Sequence, residues 1–276
     1  MIFSYKKWAK FCAELRAKGL RSVPACCVDA LTHNYIVLKH DVETNVKRAY
    51  EIARIEHQNG HSGSFYVQAY LLDDEANIRL LKEMQDMGHE ISYHHDVMDS
   101  CRGDLQAAAE EFEKNRVRFE FCGFQIRTVC QHGNPIVERK GYTSNRDFFR
   151  SEYVQRKYPD ISDIMVNYKQ NYSTDYRYYS DAGRCIKGIY DPLNNDLVDS
   201  SEKDVVYVDL GELLCSLVVD KNHIVSIHPH RWTKSAASYI VKTALFRIVR
   251  ILAKWLVKIP VMKKVMSRHY HLAKKL

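Results

Sequence analysis

One short segment constrains the fold more than any other part of the sequence. Residues 35–38 are apolar and β-prone, and the ionisable side chains of Lys39, His40, Asp41 and Glu43 follow them directly. A short apolar run that ends in polar residues predicts a buried strand. Carboxylates and an imidazole at the carboxyl end of such a strand lie where α/β folds carry their active sites. The segment therefore predicts both an α/β fold and the position of a site.

The two carboxylates of this segment have a functional and a structural interpretation. Asp41 and Glu43 are two residues apart, so on a strand both point to one face. Two carboxylates on one face repel each other unless a cation or a proton lies between them. The functional interpretation is a general base beside a metal ligand. The structural interpretation is a strand end whose acids are only solvated or salt-bridged.

Strand and helix patterns alternate through the first half of the chain. The predicted strands are 35–41, 64–70, 89–93 and 125–130, and the predicted helices are 4–19, 44–58, 73–87 and 105–117. Two later strands are predicted at 205–210 and 223–227. This alternation predicts a parallel sheet, and the strand count suits a distorted or incomplete (β/α) barrel. Since no linker divides the body, we predict one barrel domain over residues 1–234 and a tail over 235–276.

Charge and cysteine content limit the classes of function. The net charge is +7, yet the last acidic residue is Asp220 and twelve of the 41 lysines and arginines lie between Arg231 and Leu276. Residues 1–230 thus hold 29 basic and 34 acidic residues, which argues against a nucleic-acid-binding body. The eight cysteines form no CxxC pair, and the first residues lack an unbroken apolar core. These features predict free thiols and a cytoplasmic location.

Histidines collect at the predicted strand ends. A single histidine there is usually structural, but four strand ends that carry histidine and carboxylate are hard to explain by core packing. Imidazole and carboxylate without cysteine pairs form the ligand set of catalytic zinc or a related divalent metal. Six of the 13 histidines lie at these positions, namely 40, 94, 95, 132, 228 and 230.

The strand-end motifs resemble those of a known family. The run GHEISYHHD at 88–96 resembles the second motif of the polysaccharide deacetylase superfamily, the NodB-homology domain. The runs KHDVE, CQHGNP, YYSDAGRC and VSIHPHRW take the places of its first, third, fourth and fifth motifs, in order, between residues 39 and 232. Their spellings look most like deacetylase-like proteins associated with bacterial surface-polysaccharide synthesis.

This resemblance implies a function and roles for particular residues. It implies a metal-dependent N- or O-deacetylase that acts on a glycan or sugar precursor. By position, Asp41 would be the general base and His228 the general acid that protonates the leaving group. Glu43 would replace the metal-binding aspartate of the family, and His94 would be a metal ligand.

The sequence departs from the family pattern at the metal site. The family places a second histidine four residues after the first, and here that position is Met98. A third ligand would come from His95, Asp96, His132 or His230, of which we favour His132. The arginine that tunes the base is also absent from CQHGNP, and Arg184 is a better substitute than Arg127. Other candidate substrate-binding or supporting residues are Asp96, Asn134, Asp181, Arg184, His230 and Trp232. Trp232 would either stack on a sugar ring or anchor the core.

The C-terminal tail has a pattern of its own. Residues 239–259 are largely apolar apart from a narrow basic stripe, which predicts an amphipathic helix lying in a membrane surface. We expect residues 239–276 to attach the protein to the inner face of the membrane, near a lipid-linked sugar substrate. Packing on the barrel and a dimer contact are the alternatives for the tail. The alternative for the whole protein is a catalytically inactive barrel that serves as a glycan-binding or assembly protein.

Overall fold

The protein has an α/β fold around a mostly parallel sheet. The computed structural model describes residues 2–29, 33–134, 137–171, 175–235, 237–241 and 244. Its helices are α1 (Tyr5–Ala17), α2 (Val46–Gln58), α3 (Glu75–Asp86), α4 (Val97–Ser100), α5 (Leu105–Phe121), α6 (Asp147–Arg150), α7 (Glu152–Lys157), α8 (Tyr168–Asn171) and α9 (Leu210–Ser216). Its strands are β1 (Arg21–Ser22), β2 (Tyr35–Val42), β3 (Ser64–Val67), β4 (Glu90–His95), β5 (Thr128–Gln131), β6 (Ser162–Asp163), β7 (Arg177–Ser180), β8 (Ile186–Ile189), β9 (Val205–Tyr207) and β10 (His223–Ile227).

Local sequence signals set where the long helices begin and end. The side chains of Ser4, Asp74 and Asp104 accept hydrogen bonds from backbone amides in the first turns of α1, α3 and α5. These bonds satisfy donors that have no partner within the helix. Gly88, just past the end of α3, has a φ of 90°, a conformation that glycine adopts without strain. The bounds of the observed elements confirm the predicted helices and strands of the first half, with shifts of up to four residues at their ends.

The sheet places β2 at its centre. The strand order is β6-β5-β4-β3-β2-β10-β7-β8-β9, with β1 beside the start of β2. All pairs from β6 to β7 are parallel, whereas β7–β8 and β8–β9 are antiparallel. Within the described residues no ladder joins β6 to β9. The carboxyl ends of β2, β4, β5 and β10 consequently lie together at one edge of the sheet.

The two faces of the sheet are both buried but differ in character. Ile36, Leu38 and Val42 of β2 belong to the main apolar core, which also holds the inward faces of α1, α2, α3 and α5. Tyr35 and Val37 point the other way, into a smaller cluster with side chains of β3, β5 and β10. Because strand residues alternate between faces, the odd-numbered residues of β2 share this second face, which we call the inner face.

The structure differs from the sequence prediction in the second half of the chain. The predicted strand 205–210 ends at Tyr207, because the Asp209 side chain accepts from the amides of Gly211 and Glu212 and starts α9. The short β1 and β8 were not predicted, and β8 and β9 run antiparallel to their neighbours. Most of the predicted tail, 235–276, lies outside the described residues. No helix in the described part of the chain is long and apolar enough to cross a membrane.

Candidate metal and acid–base site

The inner face gathers polar side chains at the carboxyl end of the sheet. The parallel register sets His94 beside Cys130, and Ile227 beside His40. Asp41 is on the inner face of β2, and Glu43 follows that strand. Since parallel strands end at the same edge, residues that follow β2, β4, β5 and β10 converge there. The site therefore arises from four separate segments of the sequence.

Three predicted ligands lie close enough to share one metal ion. Glu43, His94 and His132 each offer one ligand atom, and these atoms all lie within 4.8 Å of one another. The Nε2 atom of His132 is 3.5 Å from Oε1 of Glu43. The Nδ1 atom of His132 is buried and has no hydrogen-bond partner among the described residues. The ring nitrogen that faces Glu43 is thus Nε2, and Nδ1 has unused bonding capacity.

The hydrogen bond that His94 makes suits a metal ligand. Its Nδ1 lies 3.0 Å from the carbonyl oxygen of Cys130. A carbonyl only accepts, so Nδ1 carries the proton and Nε2 keeps a free lone pair. Burial lowers the pKa of His94 to about 3. His94 is therefore neutral at pH 7, which is the form that binds a metal.

A second group of potential ligands overlaps the first. Asp41, His94 and Cys130 also place their ligand atoms within 4.8 Å of one another. Burial raises the pKa of the Cys130 thiol well above its usual value, so this cysteine is protonated. A thiolate is the form that binds a metal. The set of Glu43, His94 and His132 is the better match to a site with nitrogen and oxygen ligands.

His132, and not residue 98, lies with the other two candidate metal ligands. The Met98 side chain is 4 % exposed and packs in the main apolar core. His132 is held from both sides of its backbone: its amide donates to the His95 carbonyl at 2.7 Å, and its carbonyl accepts from Asn145 Nδ2 at 2.8 Å. The preference for His132 over the other candidate ligands therefore agrees with the geometry.

A buried lysine, which sequence reasoning missed, holds the candidate base. Lys39 Nζ donates to both carboxylate oxygens of Asp41, at 2.5 and 2.7 Å, and to Ser226 Oγ at 3.2 Å. Burial alone would raise the pKa of Asp41, but the Lys39 ammonium outweighs it and lowers that pKa well below its usual value. Asp41 is therefore a carboxylate at neutral pH. The signal was present, since Lys39 and Asp41 share one face of a strand.

His228 is fixed by a buried carboxylate. Its Nδ1 donates to Asp181 Oδ1 at 2.5 Å, and its backbone amide donates to Asp181 Oδ2 at 3.1 Å. Nε2 then faces the site, 3.8 Å from Asp41 Oδ2 and 3.7 Å from Glu43 Oε1. Burial opposes ionisation of Asp181, yet the positive charges of His228 and Arg231 keep its pKa lowered. The arrangement orients an imidazole toward both candidate carboxylates.

Trp232 is a core anchor and does not form a sugar-stacking platform. Its side chain is 0 % exposed, and its ring stacks on Phe3 at a centroid distance of 5.0 Å. Its indole N–H donates to Asp181 Oδ2 at 3.2 Å. Trp232 thus supports the site through Asp181, and the sugar-stacking interpretation is wrong because no face of the ring is accessible.

The remaining predicted residues divide between the rim and the site. His230 Nδ1 is 3.9 Å from Glu43 Oε2, and burial lowers the pKa of His230 to about 4. Asn134 is buried, and its carbonyl accepts from Arg139. Asp96 is half-buried at the start of α4. Arg184, the expected substitute for the arginine that tunes the base, is half-buried in a turn with a φ of 63°. The cation that binds both Asp41 oxygens is instead Lys39.

Two of the six strand-end histidines lie on the opposite face of the sheet. His40 Nε2 is 3.0 Å from Glu56 Oε1 beneath α2. His95 Nε2 is 2.8 Å from Asp163 Oδ2, which rules it out as the third ligand. Both side chains are fully buried. Their positions follow from strand alternation, since each is adjacent in sequence to a residue of the inner face.

Comparisons with protein-family models, with curated proteins and with solved structures find no match to this chain. The family resemblance drawn from the motifs stays a prediction.

Proposed function

We propose that this protein is a metal-dependent deacetylase that removes an acetyl group from a glycan or sugar precursor in surface-polysaccharide synthesis. We also propose that its sheet is the core of a distorted, incomplete (β/α) barrel. One observation carries the proposal: Glu43, His94 and His132 converge within 4.8 Å. An ionised Asp41 and an oriented His228 lie beside them.

The residues at the site fit a divalent metal such as zinc. Glu43, His94 and His132 would hold it with one oxygen and two nitrogen ligands, a set found in catalytic zinc sites. When bound, the metal would polarise the acetyl carbonyl and lower the pKa of a water molecule. The hydrogen bond from His94 to the Cys130 carbonyl supports this assignment, because it fixes the tautomer that leaves Nε2 free.

Asp41 and His228 would move the protons. Asp41 remains ionised because of Lys39, so it can accept the proton of the attacking water. His228 would donate a proton from Nε2 to the departing amine or alcohol. Asp181 holds the other ring nitrogen at 2.5 Å, which orients the ring. His228 Nε2 and Asp41 Oδ2 are 3.8 Å apart, so both would be within reach of one small acyl group.

One observation favours the alternative of a catalytically inactive, glycan-binding barrel. Both oxygens of Asp41 are bonded to Lys39. A carboxylate held in this way is a weak base, since protonation would break an ion pair. If the barrel has lost catalysis, the same inner face would serve to bind a glycan.

The expected membrane attachment is also a proposal. The segment 239–276 carries the basic stripe that would bind anionic headgroups, and most of it lies outside the described residues. Attachment to the inner face of the membrane would bring the site close to a lipid-linked sugar substrate.

Metal content and acetate release test the proposal together. Protein purified without chelator should contain about one equivalent of zinc or a related metal. Glu43→Gln and His94→Ala should each lose it, whereas the exposed His33→Ala should not. Acetate released from N-acetylated or O-acetylated sugars would separate amide from ester hydrolysis. Wild-type protein that takes up no metal even after reconstitution would overturn the enzyme proposal and leave glycan binding.

A further inference from the structure

Exposed apolar side chains are concentrated in one segment that includes the edge strand β9. We call residues 190–212, which include β9 and the start of α9, the acidic ribbon. It holds half of the twelve large apolar side chains that are exposed in the described part of the chain. These six are Tyr190, Leu197, Val198, Val205, Val206 and Val208. Patches of this kind on a soluble body mark binding surfaces.

The edge strand of the ribbon offers backbone groups as well as side chains. β9 pairs with β8, and no described strand pairs with its other edge. Val205 and Val206 point to opposite faces, yet they are 55 % and 57 % exposed. An exposed apolar edge strand invites association, and proteins usually cover it or place charges on it. This surface therefore calls for a covering segment.

The ribbon is strongly acidic. It contains seven carboxylates and a single basic residue, Lys203. The carboxylates are Asp191, Asp196, Asp199, Glu202, Asp204, Asp209 and Glu212. Asp196 is paired with Arg146 and Arg150, and Asp204 is paired with Lys187. A covering segment must therefore be both apolar and basic.

The C-terminal segment of the same chain has that composition. Residues 242–276 hold ten lysines and arginines and no acidic residue, among many apolar side chains. If the stretch 242–259 is helical, as its pattern predicts, it is about 27 Å long. Its charge is opposite to that of the ribbon.

The chain leaves the body close to the ribbon. The Tyr239 ring contacts the ring of Phe3, which lies just before α1, at a centroid distance of 5.7 Å. On the ribbon side, Asp209 lies in the electrostatic field of Lys7 and Lys10 of α1. The end of the described chain and the start of α9 thus both border the first half of α1, so the segment starts near the surface that it would cover.

We propose that the acidic ribbon is the docking surface for this chain's own C-terminal segment, residues 242–276. The apolar side of the segment covers the exposed valines, and its basic residues face the ribbon carboxylates. Anionic lipid competes for the same basic residues, so the segment has two alternative partners. This inference does not depend on deacetylase activity.

Zero-length cross-linking of the full-length protein tests the docking. A carbodiimide joins a lysine amine to a carboxylate that it contacts, and peptide mass spectrometry locates the bond. In lipid-free buffer we expect Lys254 and Lys258 to cross-link to Asp199 and Glu202 within one molecule. In 1 M salt, where the screening length is about 3 Å, the yield should fall about tenfold.

A matched pair of variants controls for general charge effects. Asp199→Lys combined with Glu202→Lys should reduce the cross-links from Lys254 and Lys258 to the ribbon carboxylates that remain, such as Asp209 and Glu212, about tenfold. Asp86→Lys combined with Glu110→Lys changes the same number of exposed charges outside the ribbon and should leave the yield within about twofold. Equal losses in both double variants would overturn the proposal.

Two further outcomes would each overturn the proposal by identifying another partner. In a mixture of 15N-labelled and unlabelled protein, cross-links mainly between labelled and unlabelled chains would show that a second copy covers the ribbon. No ribbon cross-link in lipid-free buffer, with binding to phosphatidylserine vesicles that the ribbon variants do not alter, would show that the segment serves the membrane alone.

Discussion

Replacing Lys39 by methionine would leave the Asp41 carboxylate buried without its counter-ion. Methionine has a similar length and no charge, so packing changes little while the ammonium is lost. The side chains of Lys39 and Asp41 are 1 % and 10 % exposed, so water cannot take over the role of the ammonium. We therefore expect a large effect from a substitution of modest size.

The size of the effect follows from the distances. At 2.5 to 2.7 Å the gross attraction is about 6 kcal/mol for an effective dielectric constant of about 20. The free-energy cost of removing both groups from water offsets much of this attraction. When Lys39 is replaced, Asp41 still bears its own desolvation cost without any attraction to offset it. Broken buried pairs lose about 3–5 kcal/mol, and we expect Lys39→Met to lower the unfolding free energy by about that amount at pH 7.

The pH dependence of the effect has a definite sign. The folded-state pKa of Asp41 is lowered, so the pair stabilises the protein fully above the unfolded-state pKa of about 4. That contribution is lost as the pH falls from there through the lower folded-state pKa. Without the ammonium, burial raises the pKa of Asp41 in Lys39→Met. The difference in stability between wild type and Lys39→Met should therefore begin to shrink above pH 4 and continue to shrink as the pH falls below it.

Urea unfolding followed by tryptophan fluorescence measures this difference. Lys10→Met is the matched control, because Lys10 is exposed and forms an exposed bridge to Glu14 at 3.6 Å; the substitution should cost less than about 1 kcal/mol. The double variant Lys39→Met/Asp41→Asn removes both charges and should recover most of the loss. If Lys39→Met costs no more than Lys10→Met, or the double variant is as unstable as the single one, the ion pair does not stabilise the fold as argued.

Three further predictions concern structural features around the site. Burial alone would raise the pKa of Asp196, but hydrogen bonds from Arg150 and neighbouring side chains lower it to about 2. Asp196→Asn should therefore lower the free energy of unfolding in urea by about 2 kcal/mol at pH 7. This loss should shrink as the pH falls from about 4 toward 2. Met98→His should not increase metal affinity in a titration with zinc, and should lower the melting temperature, because this side chain is 4 % exposed in the apolar core. Trp232→Phe should lower the unfolding free energy by about 2–4 kcal/mol, since it removes a hydrogen bond to the Asp181 carboxylate and part of a buried ring; a loss below about 1 kcal/mol would contradict this account.

The part of the site that the sequence could predict is the part encoded by strand ends. Glu43, His94 and His132 each follow or end a strand whose apolar pattern is visible in the sequence. Parallel pairing brings such positions to one edge, so the three residues are found close together. Their proximity depends on the topology of the sheet and not on the details of side-chain packing.

The features that could not be predicted depend on contacts between distant segments. Trp232 is fully buried because Phe3, at the other end of the chain, stacks on it. Nothing near Trp232 in the sequence indicates that contact. The strand β8 lies in a polar stretch whose pattern is weak, and the antiparallel pairing of β9 with it depends on that strand. The sequence shows Lys39 two residues before Asp41, but a lysine in a strand is usually solvent-exposed, so its burial beside Asp41 depends on the surrounding strands.

The three carboxylates around the site differ in what neutralises them, and this difference indicates where a metal would bind. Asp41 is neutralised by the Lys39 ammonium, and Asp181 by the Arg231 guanidinium together with His228. Among the described residues, the side-chain ion partners of Glu43 are imidazoles, at 3.5 to 3.9 Å. Imidazoles can become neutral and coordinate a metal, whereas an ammonium or a guanidinium would repel it. A divalent cation would therefore meet the least repulsion at Glu43, while Asp41 would stay paired with Lys39.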